Sequence, residues 1–405
     1  MTCSGEIIRG NCFEVLDTLS SNHYHCCITS PPYWKKRIYP CEPCNFNGWI
    51  GVLGDEPTIE QFVKNLVLIC EKVKRVLRND GVFWLNLGDS YAQEGKRNSE
   101  NEQNKNKERA KDKNYPTGAY SGSPGWERAV GTVGGSVRRK SLVLVPERVA
   151  IALQEAGWII RSRCIWFKRN SLSESATDRP SPDFEHVWML TKSENYFYNR
   201  EAVKKQPKTD DPEEYCGYLK TTWDITTQPS ASQHTSSFPD KIAEWPILLS
   251  TADYCCVECG LPYIADIEIG TPNLEAQRRM GGRKEDGSYE GQEQKKYKTL
   301  GAQEPSKTKS RILKSLTNKS VTGWFSICIC SVCGQKPAPC RVIDIFSGSG
   351  TTGFNAIKNN RSYTGIELDP ISADVSEFQI QCALEGLSRL ETNRLIKEVW
   401  PRNVN

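Results

Sequence analysis

The chain has 405 residues, 38% hydrophobic and 25% charged, with a formal net charge of only +4. That length predicts one large core with insertions, or two domains, and the balanced composition excludes a disordered or collagen-like chain. No run of about 18 uninterrupted apolar residues occurs, because the best stretch, Ser141 to Ile160, is broken by Pro146, Glu147, Arg148 and Glu155. Met1 to Phe13 lacks the apolar centre of a signal peptide, so a cytoplasmic protein without membrane partners is expected. Its 17 cysteines are then free thiols or metal ligands.

In chain order, Cys26 to Thr29 predicts a short buried strand stopped at Ser30-Pro31-Pro32, since proline cannot donate to a ladder. Phe62, Leu66, Ile69, Val73 and Val76 fall at helical spacing within Ile59 to Leu77, with Asn79-Asp80-Gly81 as the stop. Gly81 to Leu87 reads as a second buried strand, and Glu94 to Tyr115 as a polar insertion with nothing to bury. Pro146 to Gly157 predicts a helix and Trp158 to Phe167 a strand; helix feeding strand, repeated, implies parallel strands with crossovers. Apolar character resumes from Asp183 to Tyr198, and Phe238 to Ser250 predicts a helix with Pro239 in its first turn. Leu261 to Thr322 is a second polar insertion. Arg341 to Asp369 reads strand, glycine turn, helix, strand, and Ile371 to Lys397 is mainly helical.

The glycine turn, Gly348-Ser349-Gly350-Thr351-Thr352-Gly353, follows the strand Val342 to Phe346, and Glu367 lies near the end of the next strand. Glycines let a ligand approach the backbone, the helix N-terminus offers unpaired amides, and an acidic side chain accepts from ribose hydroxyls. No lysine follows the glycines, so this is not a Walker loop. Alone it fits a dinucleotide as well as a methyl donor.

The segment Thr29-Ser30-Pro31-Pro32-Tyr33-Trp34 narrows the chemistry. It resembles the motif of amino-group DNA methyltransferases, a polar residue before two prolines and an aromatic. A catalytic segment near the N-terminus and a cofactor loop near the C-terminus is the order of the β class of that family. Gly10 to Leu16, Leu85 to Tyr91, Ile165 to Lys168, Asp178 to Pro180 and His234 to Pro239 are similar to further family blocks. The resemblance implies an α/β, Rossmann-like methyltransferase fold with a mostly parallel central sheet. It also implies S-adenosylmethionine as cofactor and methyl transfer to an exocyclic base amine in double-stranded DNA, without a covalent enzyme intermediate.

Carried over by position, Ser30 and the Pro31 carbonyl would accept the amine's two protons. Pro32 would fix the turn, and Tyr33 would stack on a flipped base. Phe346, Gly348 and Gly350 would line the methionine part of the cofactor and Glu367 its ribose, with Asp344 just behind. His234 and Phe238 would be further cofactor contacts. Asn11 stands where the family often has Asp, near the cofactor adenine. Serine before the prolines is the form associated with cytosine N4, whereas Asp or Asn is usual for adenine N6, the alternative target. Protection of host DNA beside a cognate restriction endonuclease is the implied role. Two rival classes are an NAD-dependent oxidoreductase built on the glycine loop and a non-catalytic zinc DNA-binding protein.

Two C-x-x-C-G knuckles, Cys256 to Gly260 and Cys330 to Gly334, supply four thiolates, Cys256, Cys259, Cys330 and Cys333, for a structural zinc that ties the second insertion. Cys255 and Cys328 are alternates, and Cys41 with Cys44 reads as a loop without metal. Asn273 to Gly323 holds 12 Lys/Arg against six Asp/Glu, a basic stretch suited to phosphate contact, and Glu94 to Arg139 is a second candidate for DNA contact. The expected division is a catalytic half over residues 1–92, a polar insertion over 93–140 and a second methyltransferase part with a short target-recognition region over 141–254. A zinc-knuckle and basic insertion over 255–334 and a cofactor-binding part over 335–405 complete it.

Overall fold

The computed structural model describes residues 3–36, 43–92, 137–171, 173–174, 176–203, 218–228, 238–272, 317–330 and 337–400. The chain divides into two compact units, the first made of residues 1–198, 220–253 and 338–405, the second of residues 199–219 and 254–337. No described helix is long and apolar enough to cross a membrane.

The elements in chain order are β1 (Gly5–Arg9), α1 (Cys12–Thr18), β2 (Tyr24–Thr29), β3 (Cys44–Phe46), β4 (Trp49–Gly51), α2 (Ile59–Val76) and β5 (Leu77–Leu87). There follow α3 (Val145–Glu155), β6 (Ile159–Phe167), β7 (Phe184–Thr191), β8 (Thr222–Asp224), α4 (Asp240–Ser250), β9 (Tyr254–Cys256), β10 (Ile264–Pro272) and β11 (Thr317–Phe325). The chain ends with β12 (Pro337–Pro339), β13 (Arg341–Asp344), α5 (Thr351–Lys358), β14 (Ser362–Glu367), α6 (Pro370–Leu384) and α7 (Arg389–Val399).

In the first unit an eight-stranded sheet runs in the order β1, β14, β13, β2, β5, β7, β6, β8. Every neighbouring pair is parallel except the two made by β7, which runs against β5 and β6. The sheet is therefore mostly parallel, as expected, and its reversed strand is a feature that the helix–strand alternation did not reveal. Helices cover both faces, which accounts for the unbroken burial of β2 and of the second half of β5. Along β5, Phe83, Leu85 and Leu87 join the core under α2 and α3, while Trp84, on the other face, donates its indole N–H to Ser250 at the end of α4 (2.8 Å).

Several predicted boundaries move for local reasons. β5 starts at Leu77, not Gly81, because the ladder slips between Tyr24 and Cys26 and lets Arg78 to Asp80 bulge without breaking the strand. The helical sequence after Ile371 is two helices, parted at Gly386 (φ 83°) and restarted by a Ser388–Glu391 capping box. Pro239 is the N-cap of α4 and Pro246 lies inside it. In the second unit β10 and β11 pair antiparallel, so part of the sequence read as a polar insertion forms a two-stranded ribbon.

Phe62 and Leu66 of α2 are at most 1% exposed within this core. Phe62→Ala is expected to lower the unfolding free energy by about 3–5 kcal/mol, measured by urea denaturation.

Candidate active site

Because β13 pairs with β2, the ends of both strands open on one sheet edge, although 315 residues separate Thr29 from Asp344. Asp344, buried at the end of β13, accepts from the Thr29 hydroxyl (2.6 Å), the Thr352 hydroxyl (2.6 Å) and the Phe346 N–H (3.0 Å). One carboxylate thus joins the residue before Ser30 to the residues on both sides of the glycine turn.

The turn itself is tightly fitted. Gly348 and Gly350 have φ of 54° and 90°, and a Cβ on Gly350 would lie 2.5 Å from the Ser376 hydroxyl. Gly350 caps α5 without a side-chain bond, leaving first-turn amides for a ligand. Glu367 accepts from the Gly348 N–H (2.7 Å) and the Asp369 N–H (2.9 Å). Gly10 donates its N–H to the Glu367 carbonyl (2.9 Å), which sets Asn11 beside this strand end, and the Asn11 side chain caps α1 through the Phe13 N–H (2.9 Å). Phe238 stands just before α4, whose Asp240 accepts from Asn355 of α5 (2.9 Å). His234 lies outside the described residues.

After β2, Trp34 is 1% exposed and donates its indole N–H to the Glu56 carbonyl (3.0 Å). The Glu56 carboxylate in turn accepts from the Gly54 N–H (2.8 Å) and from Asn65 (3.0 Å). This buried pin holds the Ser30–Tyr33 segment from behind. On its other side Ser30 donates to the Tyr33 hydroxyl (3.1 Å), which donates to Glu185 of β7 (2.6 Å). Asn86 of β5 donates to the Tyr33 hydroxyl (2.8 Å) and to Glu185 (2.9 Å), and Lys168 donates to the other Glu185 oxygen (2.5 Å). Gly88 leaves room for the ring, since a Cβ there would sit 2.6 Å from Tyr33 Cε2.

All the predicted catalytic residues and the described cofactor-side residues therefore belong to one unit. Asn86, Glu185 and Lys168 were missed as functional side chains. Asn86 and Lys168 lay within family-like blocks, but Glu185 sits in an otherwise apolar strand, and only the reversal of β7 carries it to this edge.

The donor set fits a nucleoside methyl donor. Uncapped amides at α5 suit an anionic group, the glycine turn has no Cβ to fill the approach, and a half-buried carboxylate ends β14.

A model of the DNA methylase family of N6 and N4 amino-methyltransferases matches residues 24–258, more than half of the chain. The chain belongs to this family. Family membership makes it a DNA methyltransferase and removes the oxidoreductase reading of the glycine turn. Among similar proteins, type II methyltransferase M.Cfr9I of Citrobacter freundii is 35% identical over 247 residues, 60% of this chain and 72% of the relative. Type II methyltransferase M.SmaI of Serratia marcescens is 35% identical over 245 residues, 60% of this chain and 75% of the relative. A solved structure of PvuII DNA methyltransferase (cytosine-N4-specific) aligns over 99% of this chain and 93% of its own with a TM-score of 0.46 at 15% identity.

In the second unit the sulfurs of Cys256, Cys259, Cys328 and Cys330 all lie within 4.8 Å of one another. The first knuckle closes through Gly260 (φ 69°), whose N–H donates to the Cys256 carbonyl (2.9 Å). Cys328, an alternate in the sequence reading, takes the fourth corner. Cys255 is not in this cluster, and Cys333 lies outside the described residues, as do Cys41 and most of both polar insertions.

Burial pushes the Asp344 carboxyl up to about 6 and the Glu367 carboxyl up to about 7. Both acids favour the fold when protonated, so this contribution is complete below the ordinary carboxylate range and is lost as pH rises through those values. Glu367→Gln removes its share. Urea midpoints should therefore show the wild type losing stability relative to this variant between pH 4.5 and about 7.

Proposed function

We propose that this DNA methyltransferase transfers a methyl group from S-adenosylmethionine to the N4 amine of cytosine in double-stranded DNA. The observation that supports the reading is the Thr29–Asp344–Thr352 bridge, which joins the residue before Ser30 to the first turn of the helix after the glycines. An exocyclic amine is a poor nucleophile because its lone pair is delocalised into the ring. Ser30 and the carbonyl of Pro31 accept its two protons and favour a tetrahedral nitrogen; Pro32 fixes the turn through its locked φ. Tyr33 offers its ring to a base swung out of the duplex.

S-adenosylmethionine, when bound, supplies an electrophilic methyl group. Phe346, Gly348 and Gly350 hold its methionine part, Glu367 its ribose, and Asp344 orders the turn behind them. Asn11, Phe238 and His234 complete the cofactor side. Serine at position 30 supports cytosine over adenine, being a compact neutral acceptor where the adenine enzymes usually carry Asp or Asn. The 12 Lys/Arg between Asn273 and Gly323 supply phosphate contacts. Protection of host DNA beside a restriction endonuclease is the role this activity serves. Mass spectrometry of nucleosides from treated DNA should show N4-methylcytosine, and Ser30→Ala should slow labelling by on the order of 10²-fold. N6-methyladenine as the sole product would overturn the choice of base.

The same proposal includes a structural zinc in the second unit, bound by Cys256, Cys259, Cys328 and Cys330. Four thiolates at tetrahedral spacing leave no open position for catalysis, so the ion ties β9 and the ribbon end instead. Metal analysis should find stoichiometric zinc, lost in Cys328→Ser and kept in Cys333→Ser. The opposite pattern would return the fourth ligand to Cys333.

A further inference from the structure

Among the described residues, Tyr33 Oη gathers three hydrogen-bond partners. A phenol has one proton to give and two lone pairs to fill. Its proton goes to Glu185 Oε2 (2.6 Å), and its lone pairs take Asn86 Nδ2 (2.8 Å) and the Ser30 hydroxyl (3.1 Å). The direction of each bond follows from the far end of the chain. An ionised carboxylate only accepts, and Lys168, whose ammonium only donates, holds the second oxygen of Glu185 at 2.5 Å. Tyr33 must therefore donate to Glu185, and Ser30 has to donate to Tyr33. Asn86 reinforces the arrangement, because its amide nitrogen faces Tyr33, Glu185 and, at 3.4 Å, the Ser30 hydroxyl, so an oxygen in its place would meet the Glu185 carboxylate.

We propose that Glu185, fixed by Lys168, is a positioning residue that sets the polarity of this chain and makes Ser30 a pure acceptor toward the target amine. The proposal deepens the methyl-transfer reading and rests on it. With its proton committed to Tyr33 and one lone pair facing Asn86 Nδ2 (3.4 Å), Ser30 keeps one lone pair for an incoming N–H. If the terminal group could donate, Tyr33 could turn its proton to Ser30, and Ser30 could then point its own proton at the amine. That arrangement would compete for the nitrogen lone pair that methyl transfer requires. A donor-capable terminus, such as an amide, removes the bias.

The charged and titratable groups facing Glu185 are Lys168 after β6, Lys36 and Tyr33 after β2, and His186 next along β7. Glu185→Gln preserves size but replaces one of the two acceptor oxygens with a donor, and Tyr33→Phe keeps the ring but severs the chain. The test measures single-turnover methyl transfer from tritiated S-adenosylmethionine to unmodified phage DNA at neutral pH, beside equilibrium binding of S-adenosylmethionine. Both variants should be slower by roughly tenfold to a hundredfold at neutral pH, the worth of a hydrogen bond to a charged group. Cofactor affinity should be unchanged, so that the loss falls on the transfer step and not on binding. A Glu185→Gln protein with wild-type rates, or a slow one that also binds S-adenosylmethionine more weakly than the wild type, overturns the assignment. A wild-type protein that labels no DNA would remove the methyl-transfer reading itself, a result distinct from either.

Discussion

A single buried carboxylate, Asp344, holds the site together. It accepts from Thr29 on one strand and from Thr352 and Phe346 on either side of the glycine turn, so the segments that meet at the sheet edge cannot drift apart without orphaning a charge. Around this anchor the loop after β2 is clamped from behind by Trp34 and Glu56 and from the side by Tyr33 and Glu185. Such rigidity suits a reaction whose demand is alignment, because the groups that face the amine need no reorganisation as charge develops.

Much of this was legible in the amino-acid order. Prolines at 31 and 32 and the glycines at 348 and 350 announce backbone requirements that few other residues meet, Glu367 announces itself as an acid at a strand end, and buried apolar runs mark β2 and β13 as strands, although their pairing is seen only in the ladder. What stayed hidden depends on pairing partners rather than on composition. An apolar strand reads alike in either direction, so the reversal of β7 could not be seen, and with it went Glu185. The β10–β11 ribbon was concealed by the polar sequence around it, although Ile264, Ile267 and Ile269 punctuate its first strand. A repeated C-x-x-C-G is more conspicuous than a C-x-C, which put Cys333 ahead of Cys328; among the described residues the sulfur of Cys328 lies with those of Cys256, Cys259 and Cys330.

The two raised carboxyls, Asp344 and Glu367, show the cost of building a site at a strand edge. Each is placed for the turn it holds rather than for the stability of the fold, and burial makes ionisation unfavourable at both. Backbone amides and hydroxyls offset part of that penalty, three of them at Asp344 and two at Glu367.

The reversed strand has a consequence for how such an enzyme can diversify. Because β6 ends and β7 begins at the edge that bears Ser30, the intervening connection, residues 168–183, is tethered at both ends beside the reacting groups. Asp178 pairs there with Lys140, and the Arg179 guanidinium lies 3.4 Å over the Tyr91 ring. Its length and composition can drift while the ladder on each side stays intact. The shape of this rim is thereby left adjustable without any change to the strands that carry it.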